Sequence, residues 1–125
     1  MYEAFDDVEN TFKAVFERNL DKKHFQRVGA CALTAIIMKN SIYVGNAGDC
    51  EGILMNVTEN SNSDPKSQYI KTNTRLNAGE PEEQERLRKE FPEEKDIFKC
   101  IKNSNYCYVK GRLQPTRSLA DYYLK

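Results

Sequence analysis

At 125 residues the chain has room for one domain or for part of a larger one. Its 19 basic and 19 acidic residues cancel and are evenly mixed, and the absence of a basic block argues against nucleic acid as a partner. No run approaches the ~18 consecutive apolar residues of a membrane span, and the first residues lack the basic-then-apolar order of a secretory leader.

Phe5, Val8, Phe12, Val15 and Phe16 recur at helical spacing, with Glu3, Asp6, Glu9, Lys13 and Arg18 mostly on the other side. The spacing predicts an amphipathic helix from about Tyr2 to Asn19. Asp21-Lys22-Lys23-His24 breaks the period, so His24, the only histidine, is expected in a solvated loop rather than as a ligand or base. Val28 to Met38 is small, apolar and partly β-branched, and Ile42-Tyr43-Val44 resumes the pattern after the turn Lys39-Asn40-Ser41. That pair predicts a hairpin. Gly45-Asn46-Ala47-Gly48-Asp49 then needs a tight, glycine-permitted bend.

Glu51 to Val57 predicts a third strand and Gln68 to Thr72 a short fourth, with a polar connection over 58–67 between them. Pro81 opens a helix that runs to Phe91, with acids in its first turn, Arg86, Arg88 and Lys89 later, and Pro92 as the stop. Both ends complement the helix dipole, and Leu87 and Phe91 are expected to face the core. The Glu82, Glu83 and Glu85 cluster is expected to be a solvated face of that helix rather than a metal site. Ile97 to Ile101 and Tyr106 to Lys110 predict a last hairpin around Lys102-Asn103-Ser104-Asn105. The order of elements predicts an α+β layer structure with largely antiparallel pairing.

Cys31, Cys50, Cys100 and Cys107 are widely spaced and contain no C-x-x-C pair, so zinc and redox motifs are poorly supported. All four are expected to be reduced, as in a cytosolic or nuclear protein. Asn56-Val57-Thr58 fits a glycosylation sequon, which is read as chance.

Three blocks carry a family resemblance. The first runs from Gly29-Ala30-Cys31-Ala32 through Ile42-Tyr43-Val44-Gly45-Asn46-Ala47-Gly48-Asp49-Cys50. The second is Asn77-Ala78-Gly79-Glu80-Pro81-Glu82-Glu83-Gln84-Glu85-Arg86-Leu87. The third is Gly111-Arg112-Leu113-Gln114-Pro115-Thr116-Arg117-Ser118-Leu119-Ala120-Asp121, closing at Lys125. In this order they resemble the G-(S/A)-(T/C)-A strand with L-Y-V-A-N-x-G-D-S-R, then D-H-N-A-x-N-P-E-E-x-E-R-I, then G-x-L-x-x-(S/T)-R-(A/S)-(L/F)-G-D-x-x-x-K of the metal-dependent protein phosphatases of type 2C. The wording of the second and third leans toward the pyruvate-dehydrogenase-phosphatase-like branch. The resemblance covers nearly the whole chain, so 1–125 is expected to be the central part of such a domain.

The resemblance implies two packed, mainly antiparallel sheets flanked by antiparallel helices. It implies hydrolysis of phosphoserine and phosphothreonine by a water activated between two Mn²⁺ or Mg²⁺ ions held by carboxylates. Several departures put that activity in doubt. No D-G-H-G-G string precedes Gly29, and the later D-G-(L/F)-(W/F)-D and G-x-D-N blocks would lie past Lys125. The family's candidate third-metal Asp aligns with Arg75, its neighbouring His with Leu76, its Ser-Arg with Cys50-Glu51, and a Gly with Ala120.

Asp49, Asp121 and Arg117 remain at motif positions near the family's active site. Asp49 and Asp121 either help organise the metal site or act structurally, Asp49 capping its turn and Asp121 pairing with an Arg such as Arg117 or accepting backbone N–H groups. Arg112 and Arg117 meet either a phosphate or a structural partner. The chain is thus read as part of a phosphatase that is inactive alone and holds no ion tightly, or as a degenerate, phosphatase-like binding protein. Its expected partner is a phosphoprotein or another protein, with self-association through uncovered strand edges. A cytosolic or nuclear location is the default, and a mitochondrial one stays open.

Overall fold

The computed structural model describes residues 1–55 and 69–125. The sequon at Asn56, the 58–67 connection and the inner ends of the third and fourth predicted strands lie outside the described residues. Helix α1 covers Tyr2–Glu17, and it stops where Asn19 turns its side-chain amide back onto the Val15 carbonyl at 2.8 Å. Phe5, Phe12 and Phe16 are half-buried along one stripe, while Val8 and Val15 stay exposed. The helix is anchored by its stripe and by one acid. The Phe16 and Tyr122 rings stand 4.9 Å apart, and the Ala120 N–H donates to Glu9 Oε2 at 2.8 Å. The Tyr122 hydroxyl donates to the Glu9 carbonyl at 2.8 Å, and Lys125 pairs with the Glu9 carboxylate.

The long apolar run after a short 3-10 turn at Phe25–Arg27 is divided between two partners. Strand β1 (Gly29–Ala30) pairs with β8 (Leu119–Ala120), whereas β2 (Ala32–Met38) pairs with β3 (Ser41–Ala47) across the turn at Lys39. Strands β4 (Ile53–Met55) and β5 (Tyr69–Lys71) form another pair, and β6 (Phe98–Cys100) and β7 (Cys107–Val109) the last. All of this pairing is antiparallel, so the α+β class holds, with the strands set as two-stranded ribbons. Apolar side chains at Ile37, Met38, Tyr43, Met55 and Ile70 stand exposed on β2 to β5.

Helix α2 spans Pro81–Glu90, one residue short of the expected end, because Pro92 forces Phe91 out of helical geometry. Phe91 is 49 % exposed and not a core residue; only Leu87 of the expected pair is buried. The buried apolar set is Ala78, Leu87, Ile97, Cys107 and Ala120. Mixed among them are Asn77, Glu83 and Asp121. The core therefore sits where α2, the β6–β7 hairpin and the chain's last motif meet.

The cysteine expectation needs correction. Cys100 and Cys107 are register partners in the β6–β7 hairpin and form a disulfide, while Cys31 and Cys50 are free thiols. Spacing in sequence carried no C-x-x-C signal because hairpin register, not adjacency, brings the sulfurs together.

Candidate functional site

The three motif blocks converge on one locus. Strand β3 delivers the Gly48-Asp49 turn, where Gly48 has φ +119°, a backbone state open to glycine alone. The Asn46 amide donates to the Gly48 carbonyl at 2.9 Å and to the Thr74 carbonyl at 3.2 Å, tying the turn to the segment before α2. The Leu76 N–H adds a bond to the Gly48 carbonyl at 3.2 Å.

Asn77 is the hinge between the first block and the second. Its amide nitrogen donates to Asp49 Oδ2 at 3.0 Å, and its side-chain oxygen accepts the Gly79 N–H at 2.8 Å. The Cys31 thiol donates to Asp49 Oδ1 at 3.4 Å, so both carboxylate oxygens of Asp49 are engaged. Burial, with opposing contributions from the Asp49 contacts, holds the Cys31 thiol protonated above its ordinary pKa.

The third block lies against the second through backbone and side chain. The Ala78 N–H donates to the Gln114 carbonyl at 2.7 Å, and the Thr116 N–H to the Leu76 carbonyl at 2.8 Å. Glu83 then closes the joint. Arg86 grips its carboxylate bidentately, with Nε to Oε1 at 2.9 Å and Nη2 to Oε2 at 2.8 Å, and the Thr116 hydroxyl donates to Oε2. The Arg86 hydrogen bonds outweigh burial and hold the Glu83 carboxyl below the usual glutamate range, with Thr116 assisting. Glu82 and Glu85 are exposed as expected, but Glu83 is a buried clasp and not part of a solvated face.

The third block also reaches the first. The Asp121 N–H donates to the Val28 carbonyl at 2.9 Å, and β8 pairs with β1. Ala120 and Asp121 both have left-handed backbone, φ +59° and +54°. That conformation explains why glycine is the family's residue at the first position: Ala120 holds it at a cost of roughly 1–2 kcal/mol. Asp121 is only 8% exposed, and its carboxylate lies over Gly29, so close that a Cβ there would lie 2.1 Å from its Cγ. Among the described residues it makes no ion pair and accepts no hydrogen bond; neither Arg117 nor backbone N–H groups partner it. Gly29 and Cys31 are two residues apart, roughly 7 Å along an extended chain. The structure thus sets Asp121 against Gly29 and Asp49 against Cys31, positions two residues apart along the chain.

Arg117 is exposed and lines a groove of about 1030 Å³ between α1 and the β2–β3 ribbon, with Phe5, Ile36, Tyr43 and Leu119. Arg75 is exposed and forms a wall of two open clefts, about 490 and 540 Å³, each shared with Glu80. It makes no ion pair among the described residues. Glu51 pairs with Lys71 at 3.0 Å. Arg112 lies 6.0 Å over the Tyr123 ring, and His24 sits beside the Phe25 ring at 4.6 Å.

This residue set does not fit a divalent-metal pair. Among the described residues no group of three or more His, Cys, Asp or Glu is placed to hold an ion. Hard cations require several converging oxygens; each Asp49 oxygen already accepts a hydrogen bond. Asp121 lies over Gly29 with no second carboxylate grouped beside it among the described residues, and Arg75 adds a cation to the segment that Leu76 and Asn77 tie to the Gly48-Asp49 turn. Sequence reasoning overlooked Asn77 and the Glu83–Arg86–Thr116 clasp. The Asn-x-Gly turn before Pro81 and the three-residue Glu83–Arg86 spacing were the available signals.

An α+β assembly in which these three blocks meet defines a class of protein. The protein phosphatase 2C family model matches residues 1–125, and the chain belongs to that family. It is 28% identical over 123 residues to probable protein phosphatase 2C 63 of Arabidopsis thaliana, covering 98% of this chain and 32% of the relative. It is 32% identical over 123 residues to probable protein phosphatase 2C 43 of Oryza sativa subsp. japonica, covering 98% and 30%. With probable protein phosphatase 2C 48 of Arabidopsis thaliana it shares 33% identity over 104 residues, 83% of this chain and 26% of the relative. The chain thus spans about a third or less of these curated relatives. No solved structure matches it.

Proposed function

We propose that this chain supplies the central scaffold of a metal-dependent protein phosphatase acting on phosphoserine and phosphothreonine, and that by itself it has no turnover. One observation carries the reading: the family's blocks close into a single locus through Asn77, Glu83 and Thr116, yet the carboxylates there are committed or isolated. The locus works as a joint that positions the Gly48-Asp49 and Ala120-Asp121 turns, and ion-binding carboxylates would have to come from elsewhere. Mn²⁺ or Mg²⁺ is the ion such a complete site would take. The wording of the second and third blocks supports the pyruvate-dehydrogenase-phosphatase-like branch.

A second reading is favoured by Arg75. A fixed cation at the position of a candidate metal-binding Asp suits a phosphatase-like protein that binds a partner and hydrolyses nothing. In either case the partner is a phosphoprotein or another protein, the exposed ribbon edges provide for self-association, and the cytosol or nucleus is the proposed setting. The experiment is hydrolysis of a phosphothreonine peptide and of p-nitrophenyl phosphate with 2C-type assay amounts of Mn²⁺. The expected rate equals the metal-free control; turnover above it, abolished by EDTA, would overturn the claim of no turnover.

A further inference from the structure

The disulfide sits against the second motif block. Cys107 is buried, and Gln84 of α2 donates its side-chain N–H both to Cys107 Sγ at 3.3 Å and to the Ala78 carbonyl at 2.6 Å. The sulfur pair and the Asn77–Glu80 turn therefore share one amide. The hairpin tip touches the same turn, since a Cβ on Gly79 would lie 2.8 Å from the Asn105 carbonyl oxygen. Asn105 and Tyr106 form one wall of the cleft of about 540 Å³ whose other wall is Arg75, Asn77 and Glu80. The ladder holding the tip pairs 98 with 109, 99 with 108 and 100 with 107, and single backbone bonds extend it, from the Ile101 N–H to the Tyr106 carbonyl at 2.9 Å and from the Lys110 N–H to the Ile97 carbonyl at 2.8 Å. A ribbon that short is marginal without help, and the covalent bond joins its last pair.

We propose that Cys100–Cys107 is a thiol-responsive latch that holds the hairpin tip over the Asn77–Glu80 turn. Cys100 is exposed and Cys107 is not, so an incoming thiolate has access to the Cys100 sulfur. A dithiol reductant attacks Cys100 Sγ, the S–S bond breaks, and Cys107 departs as a thiolate that the Gln84 N–H stabilises and a proton then neutralises. The reductant's second thiol displaces Cys100 from the mixed disulfide. The two cysteines end as thiols and the reductant as a disulfide, a transfer of two electrons. Without the bond the tip leaves Gly79, the cleft beside Arg75 opens, and the Asn77 contact to Asp49 loosens. The inference does not rest on the phosphatase reading, because its test measures no hydrolysis.

The test compares the full chain in oxidised glutathione with the chain in a dithiol reductant, by thiol alkylation after removal of the reagent and by hydrogen exchange read by mass spectrometry. Oxidised protein should expose the free thiols of Cys31 and Cys50 only, and reduction should add Cys100 and Cys107. Peptides covering 77–84 and 101–106 should exchange about tenfold or more faster after reduction, given what closing a short loop contributes, while Tyr2–Glu17 exchanges as before. The double variant Cys100→Ser, Cys107→Ser should reproduce the reduced pattern; if it does not fold, the comparison within the natural chain decides. Four free thiols in the oxidant, equal protection at 77–84 in both states, or loss of protection throughout the chain would each overturn the latch.

Discussion

Gly48→Ala is expected to remove the cooperative fold at 25 °C, with a loss of about 4 kcal/mol from two separate physical costs. The first is the backbone: φ +119° lies outside what a residue with a Cβ adopts without strain. The second is space, because the new Cβ would meet Cys31 Sγ at 2.4 Å and Cys31 Cα at 3.0 Å. A backbone atom cannot rotate away. Gly45→Ala is the control, since its Cβ would meet Met1 Sδ at 2.4 Å and Phe5 Cε2 at 2.9 Å, and the Met1 side chain has room to move. Urea unfolding followed by circular dichroism should show Gly45→Ala shifted by about 1 kcal/mol or less and Gly48→Ala without a folded baseline. Equal midpoints for the two variants would refute the role given to the Gly48 turn.

Arg86→Ala is the second large effect. It leaves the Glu83 carboxylate, whose side chain is only 8% exposed, with the Thr116 hydroxyl as its remaining partner. Breaking one side of a buried pair costs roughly 3–5 kcal/mol; Arg86 is itself 23% exposed, so the lower end, about 3 kcal/mol, applies. The pH dependence separates this from a packing loss. Glu83 has a folded pKa below its unfolded value, so its contribution is complete above about pH 4.3 and is lost as the pH falls through the depressed folded value. In Arg86→Ala the buried, unpaired carboxyl should instead favour protonation, and the acid-side slope contributed by Glu83 should flatten or reverse. Unfolding midpoints measured from pH 3 to pH 7 give the comparison; an unchanged slope would show that the clasp does not contribute as described.

Much of the local structure was legible because it depends on short-range period and breakers. The aromatic stripe from Phe5 to Phe16 marked α1 to within a turn, and Pro81 and Pro92 bracketed α2. The hairpin turning at Lys39-Asn40 followed from the small, partly β-branched run before it and Ile42-Tyr43-Val44 after it. The bend expected over Gly45 to Asp49 is confined to its end, because Gly45 to Ala47 continue β3 in register with Ala32 to Thr34. What stayed hidden was set by partners distant in sequence. Nothing local to Gly29 indicates that it pairs with Ala120, and so the run from Val28 read as one strand. Glu83 looked solvated because its helix is charged overall, and its long-range partner, the Thr116 hydroxyl, is 33 residues away in sequence. The cysteine pair depends on hairpin register. Family motifs supplied the long-range order that periodicity lacks, yet motif position alone did not reveal that Asp49 is occupied by Cys31 and Asn77.

The central claim is that the convergence of the three blocks builds a joint rather than an ion site. Calorimetric titration of the chain with Mn²⁺ addresses it directly, alongside Arg75→Asp, which restores the family's acid at that position. Neither protein should give a saturable binding heat, because one carboxylate added beside an occupied Asp49 does not make a ligand set. Stoichiometric Mn²⁺ binding by the unmodified chain, lost in Asp49→Asn or Asp121→Asn, would contradict the account.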